Sequence, residues 1–234
     1  MNVTLVSPNI YQVALKIVNV FIVRIPAGLI LIDTGPKGSK QLIFDAIKKI
    51  GHHPDDVKHI IVTHAHHDHS GSLADIVSEI NALVYMHPHD AALVRKGVAY
   101  RFNLNIANHI IRIVTVNSII RVPYINIKSV KQIIEVDDGD WIPDNGFLRV
   151  IYSPGHWQGQ ITLFYPGDKG AIIAADAAEN QSGLRLPREY QNKDECLATI
   201  KKISCFDFNT AVFSHGDPIS HRASEIFKIV FGLH

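Results

Sequence analysis

Short apolar runs alternate with polar turns along most of this chain, and their spacing predicts a protein rich in β-strands. The opening residues predict a meander of three strands near residues 10–15, 17–24 and 28–33. A one-sided apolar stripe over residues 37–50 then predicts a helix, which Gly51 ends. The pattern indicates two β-rich halves with helices packed outside them.

Later segments continue this alternation, with a helix predicted over residues 72–80 and a strand over residues 82–86. The alternation of strand and helix patterns becomes less regular between residues 87 and 131. Apolar residues recur there at helical spacing: Phe102, Ile106, Ile110 and Ile113. We therefore expect a helical insertion, which packs on its own domain or borders the substrate entrance and contributes to a homodimer contact. Nothing in the composition marks a domain boundary, so residues 1–234 are predicted to form a single domain.

Aspartate and histidine residues follow five of the apolar runs. In chain order they are Asp33, the tract with His64, His66, Asp68 and His69, then His156, Asp176 and His215. One such residue means little, because Asp and His are common in turns. Five in succession can meet at one edge of a sheet. Imidazole and carboxylate groups together are the ligands expected for zinc or a similar divalent ion.

These motifs and their order resemble those of the metallo-β-lactamase superfamily. The chain contains LIDTG with Asp33, THxHxDH from Thr63, SPGH with His156, a lone strand-end Asp176 and SHG with His215. The resemblance extends from Asp33 to His215, which is nearly the whole chain. It implies an α+β fold, the four-layer αββα sandwich, in which mixed β-sheets are flanked by helices and a metal centre lies at one edge.

The resemblance also implies a role for each motif residue. The first metal ion would be held by His64, His66 and His156, and the second by Asp68, His69 and His215. Asp176 would bridge the two ions, and Asp33 would orient a ligand by hydrogen bonding. The implied cofactors are two divalent metal ions per chain, with zinc first and iron or manganese as alternatives.

The implied activity is hydrolysis of a small ester-like substrate, namely a lactone, ester or thioester, by a metal-bridging hydroxide. Asp68 would be the catalytic residue that orients this hydroxide and accepts its proton. Alternatives are a phosphodiesterase or nuclease, a mononuclear iron dioxygenase of the same superfamily, and a non-enzymatic binding protein. Many acyl-homoserine lactonases carry Tyr three positions after the bridging Asp. Here that position is Glu179, which leaves lactonase activity open.

Charge and cysteine content narrow the expected partners and compartment. The 23 Lys and Arg residues balance 22 Asp and Glu residues, so no basic footprint for nucleic acid is present. No apolar run is long enough to span a bilayer, and we expect a cytoplasmic protein with a small-molecule substrate and no membrane partner. Cys196 and Cys205 are expected to be buried free thiols in a reducing compartment.

Overall fold

Seven strands form one mixed sheet in the computed structural model, which describes residues 2–100, 124–143 and 146–233. In sheet order these strands are β1 (Asn2–Ser7), β2 (Ile10–Ala14), β3 (Asn19–Ile25), β4 (Gly28–Ile32), β5 (Val57–Ile61), β6 (Leu83–Met86) and β9 (Ile134–Glu135). Strands β1 to β4 are antiparallel, and the pairs from β4 through β5 and β6 to β9 are parallel.

The second sheet has five strands. They are β10 (Trp141–Ile142), β11 (Leu148–Tyr152), β12 (Ile161–Tyr165), β13 (Ala171–Ile173) and β14 (Thr210–Val212). This sheet is antiparallel as far as β13, and β13 pairs with β14 in parallel. A separate antiparallel pair joins β7 (Val98–Tyr100) to β8 (Tyr124–Asn126).

Helices cover the outer face of each sheet. They are α1 (Lys40–Lys49), α2 (His67–Ser70), α3 (Leu73–Val77), α4 (Pro88–Arg95), α5 (Lys193–Ile203) and α6 (Ala223–Phe231), with a 3₁₀ turn at Pro54–Asp56. Ile43 of α1 packs in a cluster on the outer face of the first sheet. Ile200 of α5 and Phe227 of α6 pack in a cluster on the outer face of the second sheet. The layers therefore follow the predicted αββα order.

The core between the two sheets explains the continuous apolar runs of the sequence. Phe21 and Ile32 of the first sheet meet Leu148 and Leu163 of the second in one buried cluster. The alternate residues of the same strands, such as Ile22, turn to the helix-covered face. Because both faces of β3 and β4 are covered, nearly every residue of these strands is apolar and buried.

Most predicted elements are present, with shorter bounds. The three predicted meander strands are β2, β3 and β4, and the helix predicted from residue 37 begins at Lys40, after a turn containing Pro36 and Gly38. The helix predicted over residues 72–80 is α3. Strand β1 was not predicted, because four of its six residues are exposed or half-buried, and pairing with β2 supplies its stability.

Two expectations need correction. The chain from residue 87 is not irregular at its start, because α4 is a regular helix whose Ala91 and Val94 lie in the core beside the first sheet. The apolar stripe from Phe102 to Ile113 lies outside the described residues, and its proposed role stays a prediction. Cys196 is a buried free thiol as expected, but Cys205 is free and exposed.

Candidate metal centre

The strand ends of both sheets bring all seven predicted ligand residues to one place. The tract after β5 carries four of them into α2, and single residues follow β11, β13 and β14. Their donor atoms form two groups, each with its atoms within 4.8 Å of one another: His64, His66, His156 and Asp176, and Asp68, His69 and His215. Residues up to about 150 positions apart in sequence thus converge on one centre.

The Asp176 carboxylate belongs to the first group and also faces the second. Its Oδ2 is 3.8 Å from His64 Nε2 and 3.4 Å from His156 Nε2, both in the first group. The same oxygen is 3.5 Å from His69 Nε2 and 3.5 Å from His215 Nε2, both in the second group. A carboxylate that faces both groups at similar distances can serve a cation on either side.

Spacing between the donor atoms fits shared coordination of a cation. Two donors on one tetrahedral zinc ion, each about 2.0–2.1 Å from the metal, would lie roughly 3.3 Å apart. His66 Nδ1 and His156 Nε2 are 3.1 Å apart. In the second group Asp68 Oδ2 is 3.7 Å from His215 Nε2 and 3.8 Å from His69 Nε2.

Several donor atoms of the centre are buried without a hydrogen-bond partner among the described residues. They include His64 Nε2, His69 Nε2 and Asp176 Oδ1. A buried polar atom without a partner is costly, because it has lost its contacts with water and gained nothing in return. Cations bound by these atoms would remove that cost, so the residues present fit a divalent metal centre.

Asp33 orients one of the rings from outside the ligand groups. It is fully buried, and its carboxylate accepts hydrogen bonds from Thr63 N at 2.8 Å and from His69 Nδ1 at 2.8 Å. This hydrogen bond keeps a proton on Nδ1, so Nε2 is the nitrogen of His69 that would bind a cation in place of its proton. Asp33 has a φ of 62° and Ala175, just before Asp176, a φ of 49°. Left-handed backbone at non-glycine residues is strained and is concentrated at functional sites.

Backbone carbonyl groups orient two further histidines in the same way. His156 Nδ1 donates to the carbonyl oxygen of Glu189 at 2.6 Å, and His215 Nδ1 donates to that of Ile17 at 3.1 Å. In both rings Nε2 is then the nitrogen that faces the Asp176 carboxylate and would bind a cation. The loop before α5 and the turn between β2 and β3 therefore take part in building the centre.

Electrostatic coupling within the cluster is strong. Burial holds the pKa of His64 and of His66 well below the usual imidazole range, so both rings are neutral and keep a lone pair for a cation. Burial also lowers the pKa of His69, but carboxylates led by Asp176 outweigh it and hold that pKa well above its usual value. The Asp176 carboxylate raises the pKa of His215 as well.

A cavity of about 400 Å³ opens beside the ligands. Ile17, Ala178 and Pro187 give it apolar walls. Glu179, which stands where many lactonases have Tyr, also lines the cavity but is nearly buried, and its carboxylate accepts a hydrogen bond from Arg185 Nε at 2.6 Å. A pocket of this size suits a small molecule, and its walls combine apolar and charged side chains.

Sequence reasoning missed residues that support the ligands through long-range contacts. Asn19 Nδ2 donates to the carbonyl oxygens of Phe213 at 3.0 Å and of Gly216 at 2.9 Å, which holds the turn that carries His215. A buried Asn inside an apolar strand was the available signal. Asp90 and its contact with Trp157 were also missed, because nothing in the local pattern around either residue indicates a partner so far along the chain.

Comparison with known proteins identifies related sequences. The model of the metallo-beta-lactamase superfamily matches residues 13–215. Metallo-beta-lactamase domain-containing protein 1 of Xenopus laevis is 26% identical over 197 residues, which are 81% of this chain and 66% of that protein. The probable metallo-hydrolase YflN of Bacillus subtilis is 24% identical, over 92% of this chain and 87% of that protein. An N-acyl homoserine lactonase of Bacillus thuringiensis is 23% identical, over 69% and 55% respectively.

Solved structures share the fold. The subclass B3 metallo-beta-lactamase BJP-1 of Bradyrhizobium japonicum superposes with a TM-score of 0.72 and 23% identity, covering 100% of this chain and 90% of that one. At this identity the likeness concerns the αββα architecture alone. In the described part of this chain, every helix is too short or too polar to cross a lipid bilayer.

Proposed function

Because the chain belongs to the metallo-β-lactamase superfamily, we propose that it is a dinuclear zinc-dependent hydrolase of a small ester-like substrate, namely a lactone, ester or thioester. The observation that carries this proposal is the convergence of two ligand groups on the Asp176 carboxylate beside a cavity of about 400 Å³. Imidazole and carboxylate donors are the set that zinc accepts, with iron or manganese as alternatives.

The completeness of the second group favours two ions over one. A mononuclear iron dioxygenase needs only three histidines, which here are His64, His66 and His156. Asp68, His69 and His215 would then have no ligand role, although they lie together and two of them face the same Asp176 oxygen. Retention of both groups equally disfavours a non-enzymatic binding protein, since a protein of that kind has no need of buried unsatisfied donors.

The chain's own residues have separable roles in such a hydrolysis. Divalent cations held by the two ligand groups would supply a hydroxide nucleophile near neutral pH and polarise the substrate carbonyl. Asp68 is partly exposed, with 15% of its side chain accessible, and it lines the cavity, so its carboxylate can accept the proton of the attacking water. Apolar walls from Ile17 and Pro187 hold the acyl part of the substrate and exclude water.

Ester-like substrates suit the cavity better than a nucleic-acid backbone. The chain has a formal net charge of only +1, and this balance does not favour binding to a phosphodiester polymer. The lactonase of Bacillus thuringiensis is one relative with a named ester-like substrate. At the position where many lactonases have Tyr, this chain has Glu179, whose buried carboxylate accepts a hydrogen bond from Arg185. Because of this difference we propose a substrate class rather than a single lactone.

Metal stoichiometry is the first test. We expect about two zinc ions per chain in the reconstituted protein, because each ligand group can hold one. His156→Ala should remove the ion of the first group, and His215→Ala should weaken the second while the first remains. Elemental analysis of purified, reconstituted protein measures both effects. His221→Ala, at an exposed histidine outside the cluster, is the matched control. One ion or fewer per wild-type chain would contradict the dinuclear assignment.

A substrate panel tests the reaction class. Zinc-loaded protein should hydrolyse members of a series of lactones, alkyl esters and thioesters faster than bis-aryl phosphodiesters. The same panel with the His156→Ala protein should show no turnover above background, which separates the site from contaminating esterases. Preferential turnover of the phosphodiesters would favour the nuclease branch of the superfamily and contradict this proposal.

A further inference from the structure

A second fully buried carboxylate, in addition to that of Asp33, lies next to the metal centre and belongs to neither ligand group. Asp90, in α4, has no exposed surface. Its Oδ2 accepts a hydrogen bond from Ala65 N at 2.7 Å, and its Oδ1 accepts from Trp157 Nε1 at 2.8 Å and from His89 Nδ1 at 2.8 Å. A buried carboxylate is tolerated only when such donors satisfy it, and each bond to a charged acceptor is stronger than a neutral one.

Two of these donors belong to the segments that carry the first ligand group. Ala65 lies between His64 and His66, and Trp157 directly follows His156. One carboxylate therefore joins the tract after β5 to the turn after β11, which are about 90 residues apart along the chain. Among the described residues the Asp90 carboxylate accepts hydrogen bonds from Ala65, Trp157 and His89, and none of these belongs to the second group.

Ring packing extends this connection to a ligand side chain. The Trp157 ring lies 5.0 Å from the His66 ring, and the Tyr100 ring stacks on His66 at 5.2 Å and contacts Trp157 at 4.5 Å. Tyr100 N also donates to the carbonyl oxygen of Ala65 at 2.9 Å. Both backbone groups of Ala65 are thus held, its N–H by Asp90 and its carbonyl by Tyr100. The His66 ring has little freedom to move away from His156.

A glycine at position 159 provides the space that the Asp90 carboxylate occupies. Gly159 packs directly against Asp90, and a Cβ placed on Gly159 would overlap both Oδ1 and Cγ of that side chain. The backbone of Gly159 is not in the left-handed region, so an alanine could adopt it without strain. Gly159 lies in a turn whose backbone conformation does not require glycine, so the absence of a side chain here serves the close approach to Asp90.

We propose that Asp90 is a positioning residue, which sets the spacing between the His64–His66 segment and His156 and so tunes the metal affinity of the first ligand group. This inference rests on the proposed function, in which that group holds a cation. Asp90 does not touch the ligand atoms, and it acts through the backbone of Ala65 and through the indole of Trp157. The second ligand group should be insensitive to it.

Zinc titration of an Asp90→Asn variant tests this role. Asn has nearly the same size, but its amide N–H₂ must face one of the donors that the carboxylate accepts from. We expect the zinc affinity of the first group to fall by on the order of tenfold or more, the scale seen when outer hydrogen-bond partners of ligands are removed. Affinity is measured by competition with a chromophoric chelator. A His215→Ala background isolates the first group, and a His156→Ala background isolates the second.

Gly159→Ala offers an independent route to the same result. The new methyl group must displace the Asp90 carboxylate, although every hydrogen-bonding residue is still present. We expect the same selective loss of first-group affinity, and the double variant with Asp90→Asn should be no worse than the stronger single variant. Ile203→Val, a buried change in α5, is the matched control for general destabilisation: its unfolding midpoint should fall while zinc affinity stays at the wild-type value.

Three outcomes of these zinc titrations decide whether Asp90 has a positioning role. A selective fall in first-group affinity in Asp90→Asn or Gly159→Ala, beyond that of Ile203→Val at equal loss of midpoint, supports the positioning role. Wild-type affinity in both variants, or an equal loss in both groups, overturns it while the proposed function stands. Wild-type protein that binds no zinc overturns the proposed function and this inference together. If Asp90→Asn fails to fold, Gly159→Ala and Trp157→Phe carry the same comparison.

Discussion

Asp176→Asn is expected to lower turnover more than a hundredfold and to leave at most one bound metal ion per chain. The Asp176 Oδ2 atom lies within 3.8 Å of four imidazole nitrogens, two from each ligand group. Asn keeps the size and one oxygen but removes the negative charge that would balance two cations. Loss of an outer partner of a metal ligand already costs about 10–100-fold, and loss of a shared ligand should cost more.

Elemental analysis and steady-state kinetics on the same preparation measure this result. Asp138→Asn is the control, because that carboxylate is half-exposed, pairs with Lys202 at 2.6 Å and lies outside both ligand groups. It should change neither metal content nor turnover. An Asp176→Asn protein that keeps two ions and wild-type turnover would show that Asp176 does not bridge the groups.

Asp68→Asn is expected to reduce turnover by on the order of a hundredfold or more, with a smaller change in KM. The physical reason is the loss of a base, since the amide cannot accept the proton of the attacking water, and general-base catalysis contributes about 10²–10⁴-fold. Asp68 lines the cavity and lies 3.7 Å from His215 Nε2, so it is placed to act on a substrate held there. Metal content should be measured alongside kinetics, because Asp68 is also a predicted ligand.

The neighbouring Asp75→Asn variant is the matched control for this change. Asp75 is on α3, the next helix along the chain, and pairs with Lys128 at 2.6 Å on the surface. Its turnover should equal that of the wild type. If Asp68→Asn retains both ions and full turnover, then the proton must be accepted by another group, and the catalytic assignment of Asp68 is wrong.

The sequence by itself determined the architecture and the identity of the candidate ligands. Strands that are covered on both faces appear in the sequence as continuous apolar runs, and a polar residue marks the end of each run. The sequence therefore placed strands β4, β5 and β11, followed by Asp33, His64 and His156 respectively. These strand and motif patterns are local features of the sequence. The order of the five motifs resembles that of the superfamily, and the match to the superfamily model confirmed this resemblance.

The tertiary structure alone decided how these ligands are held. The carboxylate of Asp90 meets an indole 67 positions away, and Asn19 meets carbonyl groups nearly 200 positions away. Contacts of this kind leave no periodicity in the sequence, because a hydrogen bond depends on where two segments cross and not on the residues beside either partner. The resemblance already implied that Asp176 bridges the two ions, but the 3.4 Å and 3.5 Å distances from its Oδ2 to His156 Nε2 and His215 Nε2 came only from the tertiary structure.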